Sequence, residues 1–256
     1  MNNISKIAVL VISCDKYSDL WEPCTKMFSK FWPDCEYDKF IVSNFKDCNQ
    51  IGFSNLQIGN DRTWSHGLKM AIERLNDKYE YVFTMVEDYF FVEKVDNSYV
   101  KAMFDTFVAL DGNFLSLFKL PSKLSNCNEY FGELENIIPY RQSIGFTLWK
   151  TKTLNAILDE NENAWEFEKN GVIRGFQYDK FFGSYKNYKV MNLVIKGKLV
   201  PSEYKIIKSY FPDIEILRPK MTHKEFIIEK LREIVITSFL FFTPTFLKRK
   251  IYFSKF

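Results

Sequence analysis

The sequence has few of the residues that metal and thiol chemistry most often needs. Its two histidines, His66 and His223, lie far apart, and its five cysteines contain no CxxC pair. A structural zinc site is built from clustered cysteine and histidine ligands, so this spacing argues against one. The odd number of cysteines also fits a reducing cytoplasm better than a disulfide-bonded secreted protein.

Glycine-rich signatures are missing as well. The chain of 256 residues has 10 glycines, and they form no GxGxxG fingerprint, no GxxxxGK[ST] loop and no GxSxG elbow. These motifs bind dinucleotides, cradle phosphates and present a nucleophilic serine, respectively. Their absence argues against dinucleotide-dependent enzymes, P-loop NTPases and serine hydrolases.

A strong net charge and a cleavable leader are absent too. The formal net charge is +3, and four positive residues lie in the last nine positions, so the rest of the chain carries −1. A nearly neutral body argues against a broad nucleic-acid-binding face. The N-terminus has no AxA-like cleavage pattern, so we expect no signal peptide and a cytoplasmic location.

The composition that remains is globular and rich in aromatic residues. Hydrophobic residues make up 46% of the chain, charged residues 26% and aromatic residues 18%, which is typical of a soluble protein with an aromatic core. Apolar runs predict strands at residues 7–12, 40–43, 53–58, 81–86, 114–120, 144–150 and 190–195. Helices are predicted after Ser18, after Asp61 or Thr63 and after Asp96, with shorter ones at residues 154–158 and 164–169. This order predicts an α/β fold, a single domain with a mostly parallel central sheet flanked by helices.

The segment YVFTMVEDYFFV, residues 81–92, carries the strongest functional signal. A buried apolar strand ends in two adjacent carboxylates, Glu87 and Asp88, and apolar residues then resume. Open α/β sheets bind ligands in the crevice beyond the carboxyl ends of their strands. Carboxylates at that position suit Mg²⁺ or Mn²⁺ holding a phosphate-bearing substrate. The alternative is an ordinary strand followed by a solvated acidic turn.

Three motifs follow one another along the chain in a characteristic order. A first strand ends in Ser13-Cys14-Asp15, a helix carries TWSHGLKMAIERL, and the next strand ends in the acidic pair. This order resembles the nucleotide-sugar-binding half of GT-A-type glycosyltransferases. The resemblance covers about residues 4–195 and points to family 2-like bacterial enzymes of surface polysaccharide assembly, which build lipopolysaccharide and capsule. The chain departs from that family at Glu87-Asp88-Tyr89, where Asp-x-Asp is usual.

The resemblance implies how the chain is divided. A GT-A-like glycosyltransferase domain would occupy residues 1–200, with a donor half at about 1–95 and an acceptor half at about 96–200. Residues 201–256 would form a C-terminal helical, amphipathic appendage.

The resemblance also implies a donor site. Asp88 would be the main ligand of a Mg²⁺ or Mn²⁺ ion, and Glu87 would contact the ion or the ribose. The other candidates for donor binding are Ser13, Asp15, Tyr17, Asn44, Asp61 and Arg62. Turn formation and helix capping are the alternative roles of Asp15 and Asp61, and a surface charge is that of Arg62.

An inverting transfer, which the resemblance implies, needs a base that deprotonates the acceptor hydroxyl. In the segment NAWEFEKNG we favour Glu166 and consider Glu168 next. Neighbouring Trp165 and Phe167 can desolvate a carboxylate and raise its pKa, which suits a base. An acidic amphipathic helix with Trp165 in the core is the alternative, and Asp179 is a third candidate for the base. Candidates for stacking on an acceptor sugar are Tyr140, Trp149 and Trp165, and a place in the core is the alternative role of Tyr140 and Trp149.

The C-terminal region ends in an apolar, aromatic and then basic segment. The uncharged stretch at residues 234–247 is too short to span a bilayer as a helix, and Pro244 interrupts it. Together with the basic residues 248–250 it favours an anchor on an anionic membrane surface, here the inner face of the cell membrane. The alternative is a helix that packs on the domain through Ile227, Leu231, Ile234 and Val235.

The resemblance implies a glycosyltransferase that moves a sugar from a nucleotide-sugar donor to a glycan or lipid-linked acceptor. The atypical acidic pair leaves open a non-catalytic GT-A-like binding or scaffold protein of a polysaccharide-assembly complex. A nucleotidyltransferase that uses the same carboxylates is a third hypothesis.

Overall fold

The structure, a computed structural model, describes residues 6–118, 120, 123–136, 138, 141–243 and 247. The strands are β1 Ile7–Ile12, β2 Asp38–Ser43, β3 Ser54–Gln57, β4 Tyr81–Val86, β5 Tyr89–Phe91, β6 Phe114–Ser116, β7 Leu124–Asn126, β8 Phe131–Leu134, β9 Thr147–Lys150, β10 Phe181–Ser184, β11 Val190–Asn192, β12 Val194–Ile195 and β13 Lys198–Leu199. The helices are α1 Trp21–Phe31, α2 Trp64–Leu75, α3 Asn97–Ala109, α4 Thr151–Ile157, α5 Ala164–Arg174, α6 Pro201–Tyr210 and α7 His223–Phe242. Short 3₁₀ turns lie at Asp15–Leu20 and Gly175–Gln177.

Nine strands form one central sheet, in the order β3-β2-β1-β4-β9-β6-β10-β8-β7. The first four strands in this order are parallel neighbours, and β6 and β10 are also parallel to each other. Strands β8 and β9 run opposite to the other strands of this sheet. The predicted α/β fold with a mostly parallel central sheet is confirmed.

The register of β1 and β4 sets the position of the candidate site. Ile7 pairs with Tyr81 and Ile12 pairs with Val86, so both strands end at the same level. Residues 13–15 and the acidic pair therefore leave the sheet side by side. Strand β9 runs in the opposite direction and pairs Thr147 with Thr84, so the loop that precedes it, residues 141–146, lies at the same edge.

Helices cover both faces of the sheet, as the apolar pattern of β1 requires. All six residues of β1 are buried. Val9 and Val11 face a core cluster that includes side chains of α1, α3 and α6, while Ala8 and Leu10 face a second cluster formed with α2, α4 and α5. Because successive side chains of a strand point to opposite faces, a continuous apolar run is typical of a strand buried on both sides.

The helix starts follow the predicted capping residues. The Thr63 hydroxyl accepts a hydrogen bond from the backbone N–H of His66 and so caps α2, a role the sequence left open between Thr63 and Asp61. Asp96 caps α3 by accepting from the N–H of Tyr99, as predicted. Helix α5 begins with a capping box between Asn163 and Glu166. Such side chains satisfy N–H groups that have no partner within the helix.

The region from 190 to 199 differs from the single strand predicted for residues 190–195. Strand β11 pairs with β5 in a small separate sheet, and β12 forms a hairpin with β13. The hairpin turns at Lys196 and Gly197, both with positive φ, of 52° and 76°, as a tight two-residue turn requires. The short strands β5, β7, β8 and β10 were not predicted.

Residues that follow β13 still pack on the domain. We call residues 211–222, between α6 and α7, the C-terminal strap. Ile207 of α6 and Ile214 and Ile216 of the strap are buried in the cluster shared with α1 and α3. The predicted division at residue 200 stays a prediction. None of the helices in the described part of the chain combines the length and apolar character that crossing a bilayer requires.

The buried strand β9 provides a test of this architecture. Leu148 is 0% exposed in the middle of the sheet, whereas Leu217 in the strap is 94% exposed. We expect Leu148→Ala to lower the free energy of unfolding by about 2 to 5 kcal/mol, because it leaves a cavity. Leu217→Ala removes the same atoms from a solvated position and should change it by less than about 0.5 kcal/mol. Urea unfolding of both variants measures the difference, and equal losses would contradict the sheet order.

Candidate active site

The candidate active site lies beyond the carboxyl ends of β1 and β4. Glu87 and Asp88 form the turn between β4 and β5, and both flanking strands are paired with neighbours. The backbone carbonyl of Asp88 accepts a hydrogen bond from the N–H of Leu193, at 2.8 Å. The acidic pair is therefore held on both sides by regular structure and does not lie on a free loop.

Both carboxyl groups of the pair are largely removed from water. Glu87 is only 7% exposed, and burial, together with the charge of Asp88, raises its pKa well above the usual range. Burial raises the pKa of Asp88 to about 6, and the nearby guanidinium of Arg218 acts in the opposite direction. A solvated acidic turn would show neither effect, because the charged form of an exposed carboxyl is well hydrated.

The positive charge of Arg218, in the strap, lowers the pKa of both carboxyl groups of the pair. This residue was not predicted from the sequence. Its Nε–H donates to Asp19 Oδ2 and its Nη2–H to Asp19 Oδ1, both at 2.7 Å. Its guanidinium also lies 4.4 Å from the centre of the Tyr17 ring. Arg218 follows the buried residues Ile214 and Ile216 at a spacing of two, which is the signal that would have placed it on the inward side of an extended segment.

Asp15 and Asn44 hold together the loops that leave β1 and β2. The carboxylate of Asp15 accepts backbone hydrogen bonds from Asn44, Phe45 and Lys46, at 2.9, 3.0 and 3.2 Å. The side chain of Asn44 accepts from the N–H of Asp15 and donates to the carbonyl of Gly59. These two residues fix the shape of the rim beyond β1 and β2, and the Asp15 side chain bonds to the neighbouring loop.

The other predicted donor residues divide into two groups. Tyr17 lies near the acidic pair: burial raises its pKa, and the charges of Glu87 and Asp88 raise it further. Ser13 accepts a hydrogen bond from the indole N–H of Trp21. Asp61 lies against Gly67 of α2, where an added Cβ would come within 2.8 Å of its carboxylate. Arg62 is paired with Glu160 at 2.5 Å, and 66% of its side chain is exposed.

The two predicted base candidates in α5 have different environments. Glu166 is exposed, and its carboxylate accepts from the backbone N–H of Asn163 at 2.9 Å as part of the capping box. Glu168 is half-buried, and burial raises its pKa to about 7, although a hydrogen bond from the Ile144 backbone lowers it. Ile144 also accepts a hydrogen bond at its carbonyl from the Thr84 hydroxyl, at 2.8 Å. The residue that binds Glu168 therefore lies beside β4.

The predicted acceptor-side residues are also distributed unevenly. Trp165 is 79% exposed near the start of α5, so its ring is open to solvent and is not part of the core. Trp149 is 0% exposed, packs against Phe114 and Phe181, and donates its indole N–H to the carbonyl of Ser143. Tyr140 lies outside the described residues. Asp179 precedes β10 and is therefore at the opposite edge of the sheet from the acidic pair.

The acidic pair places two carboxylates next to each other in the sequence, at the end of β4. Within the described ranges, no three His, Cys, Asp or Glu side chains lie close enough to form a complete metal site by themselves. Magnesium in phosphate-handling proteins is held by one or two carboxylates together with substrate phosphates and water. Glu87 and Asp88 fit that kind of site, and Asp19 does not add to it because it is already paired with Arg218.

Comparison with known proteins supports the fold. The sequence matches no protein-family model and no curated protein. The structure of S. aureus TarS is similar, with a TM-score of 0.51 and 14% identity over 92% of this chain, which spans 44% of the TarS chain. The UTP-bound UGPase of Acinetobacter baumannii matches with a TM-score of 0.48 and 9% identity, over 89% of this chain and 98% of that one. The likeness to TarS, at this low identity, shows a GT-A-like fold and nothing finer.

The environment of Glu168 predicts how stability depends on pH. Its carboxyl has a pKa of about 7 in the folded protein against an ordinary value of 4.5, so the folded state holds this proton more tightly than the unfolded state. Its contribution to stability therefore falls as pH rises from about 4.5 to about 7 and is constant above that range. We expect Glu168→Gln to be more stable than the wild type by about 1 to 3 kcal/mol at pH 8, with little difference at pH 4.

Glu166→Gln is the matched control for this measurement. Glutamine can replace glutamate in a capping box, and Glu166 is exposed, so no pH-dependent gain is expected. Urea unfolding of the three proteins at pH 4 and pH 8 tests the prediction. A gain for Glu168→Gln that is equal at both pH values would contradict burial of an ionisable carboxyl.

Proposed function

We propose that the protein is a glycosyltransferase that moves a sugar from a nucleotide-sugar donor to a glycan or lipid-linked acceptor, with inversion at the anomeric carbon. The observation that carries the proposal is the acidic pair at the end of β4, with Glu87 buried and Asp88 half-buried, beside the end of β1 in a GT-A-like fold. Assembly of a bacterial surface polysaccharide, such as lipopolysaccharide or capsule, is the context we propose. A position at the inner face of the cell membrane would bring a soluble donor to a lipid-linked acceptor.

The charges around the acidic pair support a divalent cation as part of the donor site. Arg218 is neutralised by its two hydrogen bonds to Asp19, so Glu87 and Asp88 leave an excess of negative charge. A diphosphate adds more negative charge and would be repelled unless a cation came with it. Glu87 and Asp88 would hold Mg²⁺ or Mn²⁺ together with the diphosphate. When bound, the ion would stabilise the charge that develops on the departing nucleoside diphosphate.

The chain's own residues would orient the donor on either side of that ion. Tyr17 and the rim fixed by Asp15 and Asn44 border the ends of β1 and β2. A rigid rim suits the base and ribose, because catalysis depends on holding the anomeric carbon in one place. Arg218, which Asp19 neutralises, packs against the Tyr17 ring and would help to hold it in place.

Glu168 is the base we propose for the acceptor side. A base works best when its pKa is near the working pH, and the pKa of Glu168 is about 7. Its carboxylate would take the proton of the acceptor hydroxyl as the oxygen attacks the anomeric carbon. The exposed ring of Trp165, three positions before it in the helix, offers a surface on which an acceptor sugar could stack.

Separate variants test the donor and base assignments. Asp88→Asn should lose transfer activity and weaken Mn²⁺-dependent binding of nucleoside diphosphates, measured by calorimetry with a panel of nucleotides. Glu168→Gln should lower kcat by about 10²- to 10⁴-fold while leaving donor binding intact. Glu166→Gln is the control and should keep wild-type turnover. Full activity of either Asp88→Asn or Glu168→Gln would remove the corresponding assignment.

The pH dependence of turnover gives an independent check on the base. Since Glu168 must be ionised to accept a proton, kcat should rise with pH through an apparent pKa of about 7 and then level off. Initial rates at saturating donor and acceptor between pH 5 and 9 measure this profile. A flat profile over that range, with chemistry limiting, would argue against Glu168.

A non-catalytic binding protein is the second candidate function. It is favoured by the acidic pair itself, which has one strongly buried carboxyl and no third metal ligand in the described part of the chain. In that case nucleotide sugars would bind, but neither donor hydrolysis nor transfer would occur with any acceptor. Release of pyrophosphate in place of a nucleoside diphosphate would instead indicate a nucleotidyltransferase.

A further inference from the structure

Among the described side chains, ion pairs link the first turns of helix α7 to the domain. Thr222 and Glu225 cap each other's backbone N–H groups, at 3.3 and 2.8 Å. The carboxylate of Glu225 also pairs with Lys198 at 2.5 Å, and Glu229 pairs with Lys196. Both lysines belong to the β12–β13 hairpin. These contacts set the direction in which the helix leaves the domain.

Beyond those turns the helix presents apolar side chains to solvent. Their exposure is 43% for Ile227, 51% for Ile228, 57% for Leu231, 59% for Ile234 and 65% for Val235. We call these five residues the exposed face of α7. Their spacing of three and four residues places them on one side of the helix. The alternative in which this helix packs on the domain core is contradicted by these exposures.

An apolar face of this extent needs a partner, because large exposed aliphatic patches are rare on isolated soluble proteins. The two acidic residues in the first turns of the helix are paired with hairpin lysines, so they do not oppose an anionic partner. Residues 244–256, which follow the helix in sequence, hold four basic residues and no acidic residue. The chemistry that matches both features is an apolar layer beneath a negatively charged surface.

We infer that the exposed face of α7 binds the surface of a lipid bilayer that contains anionic lipids. The helix would lie in the plane of the interface, with the exposed face toward the acyl chains and the basic residues among the headgroups. A second copy of the chain fits less well, because two helices paired in parallel would bring their basic ends together. This inference does not rest on the transfer reaction, since lipid binding is measured without turnover.

Docking in this way would bring the acidic pair close to the lipid surface. The strap carries Arg218 at the crevice and enters α7 only five positions later. The crevice and the membrane-facing helix are thus joined by one short segment. If the proposed function holds, the acceptor class that this geometry favours is a lipid-linked one.

Vesicle co-sedimentation of the full-length protein tests the inference. We expect the wild type to bind vesicles of phosphatidylcholine with phosphatidylglycerol and to bind pure phosphatidylcholine much more weakly. The double variant Leu231→Glu/Ile234→Glu should lower binding to the anionic vesicles by about tenfold or more, because it places charges in the apolar contact. The control Ile51→Glu changes an isoleucine that is 96% exposed outside α7 and should bind as the wild type does.

Further measurements separate the outcomes. Unfolding midpoints of the variants should match the wild type, because all three positions are exposed. Equal vesicle binding by the wild type and the double variant would overturn the inference, as would a wild type that binds neither kind of vesicle. Analytical ultracentrifugation showing a dimer that the double variant loses would assign the face to a second copy and also overturn it. Nucleotide binding by the double variant should be unchanged, so a failure of lipid binding is distinguishable from a failure of the donor site.

Discussion

Two neighbouring carboxylates held away from water are the constraint on which the rest of this site depends. Burial raises the pKa of both Glu87 and Asp88, and the charge of Asp88 makes ionisation of Glu87 still less favourable. Arg218 offsets part of it, but its guanidinium is already engaged by Asp19. The local charge therefore remains negative, so the pair is poorly suited to bind an anion alone. This charge balance is the reason for proposing that a diphosphate would bind there together with a divalent cation.

The backbone around this pair is organised to keep it in place. Strand β4 is the hydrogen-bonded neighbour of β1 and β9, and β5 begins directly after the pair. The parallel neighbour β1 brings the rim formed by Asp15 to the pair. The antiparallel neighbour β9 brings the loop of residues 141–146, in which the Ile144 backbone donates a hydrogen bond to Glu168. One strand end thus joins the regions proposed for donor and acceptor. Sites supported by paired strands hold their geometry better than sites on free loops.

The parts of the fold that the sequence predicted are those dominated by local signals. Strands β1 and β4 are continuous apolar runs, and helices α2 and α3 start at capping residues. A few neighbouring residues are enough to predict each of these four elements. Strands β8 and β10 contain Gly132 and Gly183, and glycine weakens the pattern of a strand that is only four residues long.

The parts of the site that could not be predicted depend on contacts between distant segments. Glu166 and Glu168 lie on different sides of one helix, and the contact of Glu168 with the backbone of Ile144 depends on the packing of the loop before β9. Trp149 lies in a strand with neighbours on both edges and a helix layer on each face, so its ring enters the core. Arg218 meets Asp19 across 199 positions of the chain, a pairing that no local pattern reveals.

The strap links the crevice to α7, and its anchoring determines how a surface contact would act on the site. Ile214 and Ile216 fix the strap before Arg218, and the pairing of Glu225 with Lys198 fixes the helix after it. Arg218 is held between these two points and by Asp19. Binding of α7 to a surface would therefore orient the domain as one body, and it would leave the charge balance at Glu87 and Asp88 as the fold sets it.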